Sequence, residues 1–347
     1  DPPAPAGFDR RPSGLLFFFF LLVGPAKAGQ DAGPMPSISL PLARSSGALL
    51  LAGLLALMAA GCGDRGSTTD PVAAEPAQVV ALLTRHLRNN DLQAFARDAV
   101  PPELQSPLAE AWRAGRTRWP LEELPFDHKI PGMLETLAAD RAEAALRRSF
   151  DRQFANANTE IRAAASALGL FGVKYLQSDD ALSTEERAHY SQLLSAMGDW
   201  GGKARLGDPK RGRAAIARLT LAARKSGFRD TADFQRFGMD ESLRRMGPMV
   251  SALKQSLRSY DLDLDHSLDA MQVSLEHQDG DRARVRMRYP LAGKSIDAVV
   301  AVERIDGRWY LSDFLRHARA AAAPPPAPAV APPPAPADTA TTKPISS

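Results

Sequence analysis

A single cysteine, six irregularly spaced histidines and no apolar run of membrane-spanning length set the first limits on this 347-residue chain. One thiol, itself expected to be modified, excludes an internal disulfide, a thiolate metal site and a cysteine nucleophile. His86, His128, His189, His266, His277 and His317 show no His-Glu-x-x-His or other ligand spacing, so no metal is expected and the histidines read as surface or internally satisfied groups. Charge of one sign is also scarce: 43 Lys and Arg against 40 Asp and Glu leave +3, which argues against a dedicated nucleic-acid binder. The Gly-x-Ser-x-Gly elbow, the phosphate loop and the dinucleotide fingerprint are missing, and no cofactor is implied. An acid/base pair assembled from distant carboxylates is the catalytic arrangement that sequence alone leaves open.

What the chain does have begins at Met35. Arg44 supplies a positive n-region, Gly47 to Met58 is apolar, and Ala59-Ala60-Gly61 places small residues before Cys62, the order of a secretory signal. The apolar stretch from Gly47 to Ala60 is shorter than the roughly 20 residues a spanning helix needs. Leu57-Met58-Ala59-Ala60-Gly61-Cys62 resembles the lipobox of bacterial lipoproteins, with Met58 where that family usually has Leu. The resemblance implies a thiol joined to diacylglycerol, cleavage before Cys62 and acylation of the new amino group. One acyl chain holds a protein to a membrane only marginally, whereas several anchor it stably. Gly63 is not the Asp that retains some lipoproteins at the inner membrane, so the periplasmic face of the outer membrane is expected. Residues 1–34, with a second apolar run at Leu15 to Val23, are expected to be upstream sequence translated from a misplaced start and no part of the fold. Residues 35–61 are then the signal peptide and 62–77 a linker.

The expected fold class is α+β and predominantly helical: a multi-helix domain over 78–260, then a small antiparallel sheet of about four strands within 261–319. Val79, Val80, Leu82, Leu83 and Leu87 make one helical stripe ended by Asn89-Asn90-Asp91. Pro101-Pro102 opens a second helix and Pro131 a long pattern to about Phe154. Further segments run from about 159 to 175, 184 to 200, 209 to 225 and 232 to 260. Ser183 with Glu186 forms a capping box, Asp208-Pro209 an N-cap with proline behind it, and Gly227 a stop. Residues 320–347 are Pro/Ala-rich and expected to be an extended, disordered tail or spacer.

From Met271 the period becomes two. Met271, Val273 and Leu275 alternate with polar residues, and Ala283, Val285, Met287 and Tyr289 alternate with Arg282, Arg284, Arg286 and Arg288. A three-residue loop, Gln278-Asp279-Gly280, pairs Leu275 with Ala283 and Val273 with Val285 and sets Glu276 beside Arg282, keeping the arginines off the apolar face. Ser295 to Ile305 is apolar on both faces and reads as an interior strand, and Asp306-Gly307 turns it into a last one. Helices should cover one face of the sheet and leave the other polar. Asp261-Leu262-Asp263-Leu264-Asp265 begins like a calcium loop, but His266 occupies the sharp-turn glycine position and Gln272 that of the bidentate glutamate, so an acidic connector is expected.

The ending Val302 to Phe314 resembles the final hairpin of the nuclear transport factor 2 superfamily, whose curved sheet and helices enclose a cone-shaped pocket in enzymes and plain binders alike. Two basic features are candidate surfaces for an anionic partner. Lys210, Arg211, Arg213, Arg218, Arg224 and Lys225 share one arc of a helix opposite Ala215, Ile216, Leu219 and Ala223. Arg282, Arg284, Arg286 and Arg288 form the other. Neutralisation by Asp179, Asp180, Asp230 and Asp233 on the helix, and by Glu276 with Asp297 or Glu303 on the strand, is the competing expectation. The expected function is a non-catalytic envelope lipoprotein, anchored by Cys62, that binds an envelope protein or cell-wall polymer. The alternative is a periplasmic enzyme or small-ligand binder with a cone-shaped pocket.

Overall fold

The computed structural model describes residues 73–123, 129–177 and 182–324. Cys62 with its lipobox, most of the linker, and the tail from 325 on lie outside these residues. Eleven α-helices and a four-stranded sheet occur among the described residues: α1 Pro76–Arg88, α2 Leu92–Asp98, α3 Pro102–Arg113, α4 Ile130–Ala138, α5 Ala142–Gln153, α6 Asn158–Gln177, α7 Thr184–Gly201, α8 Pro209–Ser226, α9 Asp233–Arg258, α10 Leu264–Asp269, β1 Gln272–Asp279, β2 Arg282–Leu291, β3 Lys294–Ile305, β4 Arg308–Leu311 and α11 Ser312–Ala322. The fold is predominantly helical with the sheet at its C-terminal end, as the periodicities require.

Capping chemistry sets several boundaries. Asp208 accepts from the N–H groups of Lys210 and Arg211, and Gly227 ends α8 in the left-handed region. Ser183 and Glu186 form their reciprocal box at the start of α7. The long pattern after Pro131 is two helices, because Ala139 leaves helical ψ and Arg141 sits at φ 60°. α9 is broken at Gly238, φ 74°, and Phe234 just before the break uses its carbonyl to accept from Trp112 Nε1 at 2.7 Å. α2, α10 and α11 were not foreseen from periodicity; each is short or follows directly on another element.

The strands run β1-β2-β3-β4, antiparallel throughout. The first hairpin corrects the expected register. Asp279 pairs with Arg282 across a two-residue Gly280-Asp281 turn, with Gly280 at φ 55°. Unbroken, that turn would set Leu275 against Arg286. A bulge at Glu276 absorbs one residue, so Leu275 meets Val285 and Val273 meets Met287. The apolar phase is kept, but by a bulge rather than a longer loop. Glu276 consequently faces Arg284 and Arg286 instead of Arg282. Ala283, Val285, Met287 and Tyr289 are buried under α1, α7 and α10, while the arginines line the solvent face. Beyond β4, Ala73 continues the sheet by one bond, its carbonyl accepting from Trp309 N–H at 3.1 Å.

β4 covers β3 only from Val302 onward. The rest of that edge is covered by α7, running antiparallel to the strand. Gln192 acts as a surrogate strand: its Oε1 accepts from Asp297 N–H at 2.9 Å and its Nε2 donates to Asp297 O at 2.7 Å. Lys294 reaches Ser195 and Asp199 one step along. A helix rises about 1.5 Å and a strand about 3.3 Å per residue, so Gln192 to Asp199 and Asp297 back to Lys294 both cover about 10 Å. α6 packs on α7 at backbone distance: a Cβ on Gly169 would lie 2.8 Å from Gly198 Cα.

A continuous buried cluster runs from Ala73 to Ala318 and joins the helices to the sheet. The acidic connector helps to join them. Asp263 caps α10 and pairs with Arg258, Asp261 pairs with Arg211, and Asp265 pairs with Lys254 at 2.9 Å and with Arg88. Leu262 and Leu264 are buried. The three carboxylates therefore face different partners, and among the described residues no group of three or more acidic, histidine or cysteine side chains is placed to hold a metal. Lys254 is only 5% exposed and also donates to Leu87 O at 2.6 Å, closing the C-terminus of α1. Burial lowers its pKa and Asp265 opposes that shift. Lys254→Met leaves the Leu87 carbonyl with the Asn90 N–H alone and Asp265 with Arg88 alone, and should cost roughly 2–4 kcal/mol in urea unfolding. Lys294→Met, in a half-exposed pair, should cost under about 1 kcal/mol.

Candidate functional site

Titratable side chains from three distant segments converge where the N-terminus of α7 meets α11. Glu186 enters as the capping residue of α7, its Oε2 accepting from Ser183 N–H at 2.8 Å. His317 and Arg316 come from α11, and Glu123 from the 3₁₀ turn Leu121–Glu123. His317 Nδ1 lies 3.0 Å from Glu123 Oε2 and its Nε2 lies 3.7 Å from Glu186 Oε1. Arg316 pairs with Glu186 at 2.7 Å and Asp313 at 3.1 Å, Ser183 Oγ donates to Asp313 at 3.1 Å, and Tyr190 OH donates to Glu186 at 3.4 Å. Three carboxylates thus face two cationic side chains.

The electrostatics follow from burial. Desolvation pushes Glu123 above its ordinary carboxylate value, and the His317 hydrogen bond and charge offset this in part. Glu186 is raised by burial and by Asp313, against the Ser183 N–H, His317 and Arg316. Burial opposes a charge on His317, but its hydrogen bond and attraction to Glu123, with Glu186 beyond, hold the imidazole above its ordinary value. The cluster as a unit therefore retains protons more firmly than the unfolded chain does.

A cleft adjoins the cluster, lined by Glu185, Glu186, His189, Tyr190, Val300 and Phe314 among others, with space of about 30 Å³ for solvent. That accommodates one or two waters and is far below the volume of a sugar ring. His189 at its floor is buried and shares a 2.7 Å hydrogen bond with Tyr289 OH, and burial takes its pKa down to about 3. The imidazole is neutral at physiological pH.

The residues expected from sequence to face an anionic partner do not converge on this site. On α8, Arg211 pairs with Asp261, Arg213 with Asp151 and Arg224 with Glu143, while Arg218 donates to Ser256 Oγ; Lys210 and Lys225 are exposed. The neutralising acids differ from those expected: Asp230 and Asp233 cap their own turn, and Asp179 and Asp180 lie outside the described residues. On β2, Arg284 pairs with Glu185 and Glu276, Arg286 with Glu276 and Asp297, and Arg288 with Asp297; Arg282 sits opposite Glu303, which reaches instead to Arg319. α8 packs with α4, α5 and α9, and β2 with β1 and β3, so the two arginine-rich faces belong to different parts of the molecule. The histidines are mostly internal or solvent groups, as their spacing suggests: His86 bonds Asp98 at 2.7 Å, and His266 and His277 are exposed. Glu123, Arg316 and His317 carry no local sequence signal, whereas Glu186 is legible as a cap but not as a cluster member.

No protein-family profile, no curated protein and no solved structure matches the chain.

The raised value of His317 has a definite sign. Its stabilising contribution is complete below about pH 6.5, the ordinary imidazole value, and is lost as pH rises through the raised folded value. Glu123 and Glu186, also raised, act in the same sense from the ordinary carboxylate range upward. His189 acts oppositely, costing stability as pH falls from about 6.5 towards its folded value of about 3. Urea titrations across pH should show stability declining on the alkaline side, with that slope flattened in His317→Gln and retained in His189→Gln.

Proposed function

We propose that this chain is an envelope lipoprotein, anchored through Cys62 at the periplasmic face of the outer membrane, and that its body is a non-catalytic interaction module. The anchor rests on the Met35–Cys62 pattern, and no helix among the described residues is long and apolar enough to cross a membrane. The non-catalytic reading rests on one observation: the carboxylates that acid/base chemistry would use are engaged with Arg316, His317, Ser183 and Tyr190, beside a cleft with room only for water. An envelope protein or cell-wall polymer is the partner class, and no nucleic acid is involved. Ion pairing of most arginines on α8 and β2 weakens the case for a purely electrostatic partner.

The second reading, an enzyme or small-ligand binder with the cone-shaped pocket of the nuclear transport factor 2 superfamily, draws on the same cluster, since Glu123, Glu186 and His317 do gather beside a cleft between α7, the edge of β3 and the start of α11. It requires that cleft to open well beyond its present volume.

Metabolic labelling with a palmitate analogue tests the anchor. The full chain should incorporate label and fractionate with the outer membrane. Cys62→Ser should abolish both; label-independent retention in the membrane would refute acylation as the means of attachment.

A further inference from the structure

Among the helices, α6 is the least covered, with only Ile161, Ala165 and Leu176 buried. Its principal packing is with α7, through the Gly169–Gly198 approach and the seating of Gly172 against Leu194. On the far side Leu170 is 76% exposed, Phe171 70% and Tyr175 41%, with Lys174 exposed between them. These are consecutive turns of one helix, unlike the isolated exposed Leu221 and Leu275. A contiguous exposed apolar patch of this kind marks a contact surface.

We infer that this tip of α6 seats in the interfacial region of the lipid bilayer, holding the body in a fixed attitude on the membrane. The inference rests on the lipoprotein reading, which supplies the proximity. Only the chain from Cys62 to Ala73 separates the anchor from the body, and at about 3.6 Å per extended residue it reaches roughly 40 Å, about one body diameter for a domain of this size. The body is thus confined to the bilayer surface. The three side chains expose on the order of 300–400 Å², against the roughly 800 Å² per partner of a stable protein interface, so a second copy is the poorer occupant. Their chemistry fits an interface: Leu170 and Phe171 are the apolar wedge, the Tyr175 ring is amphipathic, and Lys174 has a stem long enough to keep its ammonium among headgroups. Attraction is apolar, so it requires no anionic lipid.

The single native thiol makes the test clean. In the full acylated chain, Leu170→Cys carries the only free thiol and accepts an environment-sensitive fluorophore, while Lys210→Cys on α8 is the control. Mass analysis of the same sample reports whether Cys62 is acylated, so failure of the anchor is seen separately. In zwitterionic phosphatidylcholine vesicles the label at 170 should shift to the blue and be quenched by nitroxide lipids, at low and high salt alike, and the label at 210 should do neither. Adding Phe171→Asp should reduce quenching at 170 at least about tenfold. A label at 170 that stays in water on anchored protein overturns the inference. So does a blue shift that depends on protein concentration and is untouched by nitroxide lipid, which would assign the tip to a second copy.

Discussion

The unpaired edge of β3 is the constraint around which this molecule is arranged. β4 is too short to cover it, and backbone groups left bare there would invite another strand. α7 supplies the cover, with the Gln192 amide standing in for a strand residue at Asp297 and Lys294 bound to Ser195 and Asp199 further along. Once α7 is laid along the edge, much else is determined. Its N-terminus, and with it Glu186, falls beside α11. Its outer side is occupied by α6, which glycine contacts draw close and which thereby becomes the outermost layer.

Without a disulfide, buried polar contacts reinforce the long-range packing of the apolar core. Lys254 joins α9, α1 and α10; the Glu123, Glu186, His317 and Arg316 cluster joins the 3₁₀ turn, α7 and α11; Trp112 and Trp200 each donate from the indole to a backbone carbonyl, of Phe234 and Tyr260. Each connects segments that the apolar core already brings together. Burial makes these contacts costly to break one partner at a time, which suits them to specifying one arrangement rather than to adding net stability.

Legibility in the sequence followed the range of the interaction. α1, α3, α7, α8 and most of α9 were visible because their stripes and caps are local, and the apolar phase of β1 and β2 because alternation is local. The bulge at Glu276 was hidden, since a longer loop and a bulged strand preserve the same alternation and only backbone geometry separates them. The break at Arg141 was hidden because no glycine or proline announces it. The candidate site was nearly illegible. Its members lie far apart along the chain, from Glu123 to His317, and their partnership depends on where α7 is set by the β3 edge. Glu186 was visible only in its capping role, which gives no hint that the same carboxylate faces a histidine. On β2 the charge pattern and two of its partners, Glu276 and Asp297, were legible, whereas Glu185 and the acids that answer α8, namely Asp151, Glu143 and Asp261, come from elements distant in the chain.

The bond from Trp309 N–H to the Ala73 carbonyl has a mechanical meaning. The chain enters the body at the free margin of β4, beside a buried tryptophan, before it begins α1. Tension applied to the segment preceding Ala73 is delivered first to the sheet, where β4 is backed by β3 and the Trp309 ring is packed in the core, and not to the end of a helix that could be drawn out turn by turn. The molecule is strapped at its sheet and not at a helix end.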